Sequence, residues 1–117
     1  MPLDRTTHER VVRAVLAWSD PDMLRPDDCE QVGLLLAGAS RAVADDVRAL
    51  AVRLPEDDGR RLFAEFVMGQ TDDCLARASR NLLRIRDRAR TLRALYERLD
   101  RLQDAAPAAA ATTTASP

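Results

Sequence analysis

Aromatic residues are scarce in this sequence of 117 residues, which has only Trp18, Phe63, Phe66 and Tyr96. β-Strands are typically rich in aromatic and β-branched residues, and no run of that kind occurs here. Alanine, leucine and arginine are abundant instead, and all three favour helices. The composition therefore argues against a β-sheet and predicts an all-α domain whose core consists mainly of aliphatic side chains.

Residues that bind metals and cofactors are also few. His8 is the only histidine, and Cys29 and Cys74 are far apart in the sequence. Neither a CxxC nor an HExxH pattern occurs, so we expect no metal site. Since no glycine-rich phosphate loop or dinucleotide fingerprint is present, we also expect no cofactor. Enzymatic activity stays uncertain, with the balance against it.

Long apolar runs are missing as well. No stretch has the length and apolar character of a transmembrane helix. The N-terminal residues lack the apolar segment of a secretory signal peptide. We therefore expect a cytoplasmic protein in which both cysteines are reduced thiols.

Lysine is absent, and all 18 basic residues are arginine. Because arginine codons are GC-rich, we expect an actinobacterial origin. The net charge of −1 gives the whole chain no bias toward nucleic acid, but the charge is unevenly distributed. Residues 1–76 contain nine arginines and fifteen acidic residues, whereas residues 77–117 contain nine arginines and four acidic residues. The two parts could attract each other within one chain or between two copies.

Hydrophobic periodicity predicts a bundle of three or four helices within residues 1–103. The first helix is expected to begin at Thr6 or Thr7. The second should end at Pro55, and the small residues Gly33 and Gly38 should let another helix approach it. Its apolar stripe is Val32, Leu35, Leu36, Ala39, Val43, Val47, Leu50 and Leu54. The apolar face predicted for the third helix is Leu62, Phe63, Phe66 and Val67.

The last helix shows the most regular spacing. Its apolar residues alternate steps of three and four: Leu75, Ala78, Leu82, Ile85, Ala89, Leu92, Tyr96 and Leu99. This heptad pattern predicts one long helix over about residues 71–102, whose weakest point is Ser79-Arg80-Asn81. Residues 104–117 are rich in alanine and threonine without periodicity, so they are expected to form a disordered tail.

Two groups of residues are candidates for a site. Asp45 and Asp46 lie in the middle of the second helix, where one of them must approach the apolar stripe. Their side chains could pair with an arginine of a neighbouring helix or act as acid and base. The four aromatic residues Trp18, Phe63, Phe66 and Tyr96 could line a pocket beside them.

An arginine cluster lies in the last helix. Its members are Arg77, Arg80, Arg84, Arg86, Arg88, Arg90 and Arg93, and the only acidic residue among them is Asp87. The cluster could be a solvated face with salt bridges to acidic helices. It could also bind an acidic partner or anionic ligand, with Arg84 and Arg88 as central candidates. Nucleic acid is less favoured, because no helix-turn-helix signature or aromatic stacking residue accompanies the arginines.

Two segments resemble a family of small streptomycete proteins that are often labelled natural product biosynthesis proteins. The segments are Leu54-Pro55-Glu56-Asp57-Asp58 and Arg88-Ala89-Arg90-Thr91-Leu92-Arg93-Ala94-Leu95-Tyr96-Glu97. The resemblance covers about residues 23–99. Members often have a Gly/Pro-rich loop before the last helix, where this chain has Ala78-Ser79-Arg80-Asn81. The resemblance implies an association with metabolite gene clusters and supplies no catalytic residues.

We therefore expect a small helical accessory or binding protein of specialised metabolism, which acts on a protein partner or a small-molecule ligand. A homodimer through the second and last helices is expected. One alternative is a small cofactor-independent helical enzyme, which a buried acid beside a cavity would favour. Another is a regulator that binds DNA or an acidic protein, which an exposed and unpaired arginine face would favour.

Overall fold

The computed structural model describes residues 4–20 and 24–115, with side chains described as far as Asp104. Its four helices are α1 (Arg5–Ala17), α2 (Pro26–Ala51), α3 (Gly59–Leu75) and α4 (Leu82–Ala115). No strand occurs among these residues, so the predicted all-α bundle is confirmed. None of the helices in this part of the chain combines the length and apolar character needed to cross a membrane.

Local side-chain chemistry sets the helix ends. The Asp4 carboxylate accepts a hydrogen bond from the backbone N–H of Thr7 at 2.8 Å, so α1 begins at Arg5 rather than at Thr6 or Thr7. Asp58 caps α3 in the same way by accepting from the N–H of Arg60. Helix α2 ends at Ala51, before the predicted end at Pro55, and a short turn fills the interval.

Helix α4 lies at the centre of the bundle and contacts each of the other three. Helix α1 runs antiparallel to it, since Arg5 contacts Asp100 while His8, one turn later in α1, contacts Tyr96, one turn earlier in α4. Helix α3 is also antiparallel to α4. The guanidinium group of Arg98 lies over the ring of Phe63, whereas Arg88 reaches the other end of α3.

The core is formed mainly where α2 meets α4. The largest fully buried apolar side chains are Leu36, Ile85, Leu92, Leu95, Val15 and Val47. Burial of each such side chain contributes about 1.5–3 kcal/mol. The stripes predicted on the second and last helices are largely confirmed as core, although Leu35 is 37% exposed.

The homodimer was predicted through the second and last helices. Their apolar stripes are buried against each other within one chain, so a second copy would have to contact other surfaces of these helices. Dimerisation stays a prediction.

Residues 71–102 form parts of two helices instead of one, because α3 ends at Leu75 and α4 begins at Leu82, and the interval contains the predicted weak point Ser79-Arg80-Asn81. The Asn81 side chain accepts a hydrogen bond from the N–H of Arg84 at 3.0 Å and so caps the new helix. Ser79 is buried against α2, where Gly33 leaves room for it. Ala78 consequently lies exposed outside the core, although it fits the heptad spacing.

Of the apolar face predicted for α3, only Val67 is buried. The buried residues of α3 are Ala64, Val67 and Thr71, whereas Leu62, Phe63 and Phe66 are 49–58% exposed. The spacing of three and four among the buried residues forms a narrow face of small side chains. This face lets α3 lie close against both α2 and α4, where aromatic rings would be too large.

The helical backbone of α4 extends to Ala115, beyond the Asp104 boundary at which the sequence predicts disorder. Alanine has the highest helix propensity of all residues and dominates this segment, which accounts for the difference. Residues 116–117 of the predicted tail lie outside the described residues.

Candidate functional site

Only part of the arginine cluster is paired within the chain. Arg80 forms ion pairs with Asp27 and Glu30 of α2 at 3.6 and 3.3 Å. Arg84 lies 3.9 Å from Asp87, which also pairs with Arg90. The exposed and unpaired face that would favour a nucleic-acid regulator is therefore only partly present, since three members other than Arg88 form no ion pair with a described residue: Arg77, Arg86 and Arg93.

Arg88 is a core residue rather than a surface residue, with 6% of its area exposed. Its guanidinium group donates to the Gly33 carbonyl oxygen in α2 at 2.8 Å and to the Arg77 carbonyl oxygen after α3 at 2.6 Å. A longer hydrogen bond of 3.5 Å reaches the carbonyl oxygen of Leu75. One side chain thus joins three segments of the bundle.

The positive charge of Arg88 faces backbone carbonyl groups instead of a carboxylate. Burial lowers the pKa of Arg88, the nearby Arg41 lowers it further, and Cys74 acts in the opposite direction. The carbonyl groups at the end of α3 carry the negative end of the helix dipole and so favour a cation there. Arg88 therefore acts as a structural cap, and its role in binding stays a prediction for a residue that is buried in the chain.

A groove of about 470 Å³ lies between α1 and α4. It contains one of the predicted site residues, Tyr96, whose hydroxyl oxygen lies 2.6 Å from Nδ1 of the buried His8. Arg5 binds both carboxylate oxygens of Asp100 at 2.6 and 2.7 Å, and also Glu9 at 2.9 Å. The guanidinium carbon of Arg5 is 4.5 Å from the centroid of the Tyr96 ring.

The electrostatics of this groove are balanced. Arg5, Arg13 and Arg93 line it together with the acidic residues Glu9, Glu97 and Asp100. Burial raises the pKa of Tyr96, the charge of Arg5 acts against that rise, and carboxylates including Asp46 add to it. Tyr96 is therefore a neutral phenol at physiological pH. The groove has no net charge that would select one class of ligand.

The Arg5–Asp100 pair predicts a specific pH dependence of stability. Hydrogen bonds from Arg5 lower the pKa of Asp100 below its ordinary value of 3.8. The stabilisation is therefore present above about pH 4 and disappears as the pH falls through the lowered pKa. Because both side chains are partly exposed, Asp100→Asn should cost only about 0.5–1 kcal/mol at neutral pH.

Urea unfolding of the wild type and Asp100→Asn at about pH 6 and about pH 3 would measure the stability lost by the substitution at each pH. This loss should be smaller at the lower pH. The control Asp57→Asn alters an exposed carboxylate that forms no ion pair with a described residue, and it should match the wild type at both pH values. An equal cost of Asp100→Asn at both pH values would contradict the assignment.

The predicted aromatic pocket does not form. Neither Trp18 nor Phe63 nor Phe66 lines the groove that contains Tyr96. Trp18 ends α1 and packs against the edge of the core. Asp45 and Asp46 are both exposed, and Asp45 pairs with Arg48 of its own helix at 3.3 Å. The enzyme alternative therefore lacks the buried acid that would favour it.

Three of the exposed large apolar residues lie together on α3. Leu62, Phe63 and Phe66 are 52%, 49% and 58% exposed, and we call these three residues the aromatic surface. The centroids of the two phenylalanine rings are 6.2 Å apart. Contiguous exposed apolar residues of this kind typically mark an interaction site.

Arg98 of α4 lies beside the aromatic surface, with its guanidinium carbon 4.3 Å from the centroid of the Phe63 ring. Burial lowers the pKa of Arg98, and repulsion from Arg101 lowers it further, whereas Glu97 raises it. The Nε atom of Arg98 is buried without a hydrogen-bond partner among the described residues. The side chain thus has an uncompensated positive charge next to exposed rings.

Sequence reasoning missed the roles of Arg5, His8, Asp100 and Arg98. Arg5 and His8 are one turn apart on α1, as are Tyr96 and Asp100 on α4, so each pair shares a helix face. That spacing indicates candidate partners, but only the antiparallel packing of α1 on α4 brings the two pairs together. Arg98 had no comparable signal, since its partner ring was expected in the core.

No protein-family model, curated protein or solved structure matches this chain. Among the described residues, no group of His, Cys, Asp and Glu side chains is arranged to hold a metal ion. Both cysteines are free thiols, and burial raises the pKa of Cys29. Candidate functions must therefore be argued from the surfaces of the chain itself.

Proposed function

We propose that this chain is a small, non-catalytic helical protein that binds another protein through the aromatic surface. The observation that supports this proposal is the exposure of Leu62, Phe63 and Phe66 on one helix that also has a buried inner face. Full burial of each of these side chains would be worth about 1.5–3 kcal/mol. Because the three side chains are about half exposed in the folded chain, much of this burial free energy could be gained on association with a partner.

A protein partner fits this surface better than a small molecule does. Small-molecule sites are usually concave and cover most of the ligand. The aromatic surface is instead the outer side of a helix, where Gly59 and Gly69 have no atoms of other elements near them. A helix or sheet of a partner protein could cover such a surface, and exposed aromatic residues often dominate protein interfaces.

The pathway, cellular location and origin of the protein are proposals that rest on the sequence. Association with specialised metabolism rests on the sequence resemblance, and a cytoplasmic location rests on the composition. An actinobacterial origin rests on the exclusive use of arginine. A homodimer would have to use a surface other than the stripes of α2 and α4, because those stripes form the core.

Site-specific photo-crosslinking tests the proposal. A photoreactive amino acid would replace Phe66 in the full chain, which would be expressed in its own host. The matched control would carry the same amino acid at Ala14, an exposed position on α1. We expect a discrete covalent adduct with another polypeptide from position 66 and none from position 14.

Equal yields from both positions, or no adduct at position 66, would argue against a binding role for this surface. An adduct whose mass equals twice that of the chain would identify the partner as a second copy. Circular dichroism should show unchanged helicity in both variants, because neither position contributes to the core.

A further inference from the structure

The charges around the aromatic surface are compensated on one side only. On α3, Arg60 pairs with Asp58 at 2.8 Å, and Arg61 pairs with Glu65 at 3.2 Å. On α4, Arg98 and the exposed Arg101 one turn further on form no ion pair with any described residue. The α4 side of the surface therefore presents two guanidinium groups without carboxylate partners.

We propose that the aromatic surface binds an amphipathic helix of a partner protein in which Asp or Glu residues flank an apolar stripe. This inference rests on the proposed function and deepens it. The apolar stripe would cover Leu62, Phe63 and Phe66. The flanking carboxylates would pair with Arg98 and Arg101.

The geometry of Arg98 favours a carboxylate as its partner. The guanidinium carbon lies 4.3 Å from the centroid of the Phe63 ring, and the terminal N–H donors of Arg98 form no hydrogen bond with a described residue. A carboxylate can accept two parallel hydrogen bonds from a guanidinium group. Since a docked helix would also exclude water, the ion pair would be stronger than one on an open surface.

A second copy of this chain is a poorer occupant of the same surface. In a two-fold symmetric contact, the same surface of each copy meets the other. An axis through the phenylalanine rings would bring the two Arg98 guanidinium groups toward each other. Juxtaposed like charges at an interface oppose association.

Two synthetic amphipathic peptides test the inference. Both would carry the same Leu/Phe stripe, and the flanking positions would hold Glu in one peptide and Lys in the other. Fluorescence anisotropy would measure their binding to the full chain. We expect the Glu peptide to bind about tenfold more tightly, with the preference shrinking near 1 M salt, where the Debye length is about 3 Å.

Charge reversal provides the decisive comparison. The double variant Arg98→Glu/Arg101→Glu should prefer the Lys peptide. Arg101→Glu alone, at an exposed position where folding is not at risk, should reduce the preference for the Glu peptide by roughly threefold. The control Arg10→Glu/Arg25→Glu changes net charge equally at exposed positions elsewhere and should keep the wild-type preference.

Equal affinity of the wild type for both peptides would overturn the inference. If both peptides bind equally well and Phe66→Ser abolishes their binding, the aromatic surface still binds a partner, and only the preference for acidic residues is excluded. Failure of the Glu peptide to bind would overturn the inference as well, and the crosslink at position 66 would then decide the proposed function alone. A preference for the Glu peptide that survives Arg98→Glu/Arg101→Glu would also contradict the inference.

Discussion

Arg88→Met is expected to destabilise the fold by about 2–5 kcal/mol, although methionine nearly preserves the volume of the side chain. The substitution removes the donors to the carbonyl oxygens of Gly33 and Arg77, which lie 2.8 and 2.6 Å from the guanidinium nitrogens. Buried carbonyl groups that lose their donors incur most of their desolvation cost. The denaturant midpoint in urea, followed by circular dichroism, would measure the loss.

Arg84→Met is the matched control, because Arg84 lies one turn earlier on α4 and forms only a long contact of 3.9 Å with Asp87. It should change stability by no more than about 0.5 kcal/mol. If Arg88→Met were as stable as this control, Arg88 would not be the cap that holds α2, α3 and α4 together.

Gly33→Ala is expected to cost about 1–3 kcal/mol, even though alanine is the better helix former by about 1 kcal/mol. A Cβ atom at this position would overlap Ser79 Oγ and lie 2.5 Å from Ser79 Cβ. The segment between α3 and α4 would have to move away from α2. That movement would also disturb Arg88, whose nearest guanidinium nitrogen would be 3.3 Å from the added atom.

A double-mutant cycle makes this prediction specific. Ser79→Gly removes both clashing atoms, so the combination Gly33→Ala/Ser79→Gly should recover much of the stability lost in Gly33→Ala. Gly38→Ala is the control, because a Cβ atom there would meet nothing within 4 Å. It should raise stability by about 0.5–1 kcal/mol, measured by the same urea titration. A stabilised Gly33→Ala would contradict the packing of Ser79 on α2.

Much of the fold follows from hydrophobic periodicity. The stripes of α2 and α4 place Leu36, Val43, Ile85 and Leu92 in the core, and all four are buried. Side chains spaced by three and four residues lie on one face of a helix, so local spacing determines what that face presents. Burial of these two large stripes was therefore predictable, whereas their pairing within one chain was not, since a homodimer through the two helices was expected.

The junction between α3 and α4 was harder to predict. The heptad spacing continues through Ala78, so periodicity alone favours an unbroken helix. The break depends on Asn81 as a cap and on the space that Gly33 leaves for Ser79, which is a contact between distant residues. The spacing of residues along the chain does not predict such a contact.

Helix α3 shows a second limit of periodicity. Leu62, Phe63 and Phe66 are its largest apolar residues, so hydrophobicity predicts that they face inward. Close packing against two helices selects Ala64 and Val67 instead. Phe63 and Phe66 were predicted to line a pocket, and their exposure depends on packing between helices that sequence spacing does not indicate.

Fluorine NMR would test most directly whether the aromatic surface is open to a partner. The chain has two phenylalanines and one tyrosine, so fluorophenylalanine reports only on Phe63 and Phe66, and fluorotyrosine only on the buried Tyr96. We predict that a soluble nitroxide strongly broadens both phenylalanine resonances and leaves the tyrosine resonance sharp. If the phenylalanine resonances are as protected as the tyrosine resonance, the rings are already covered, and the proposed binding surface does not exist.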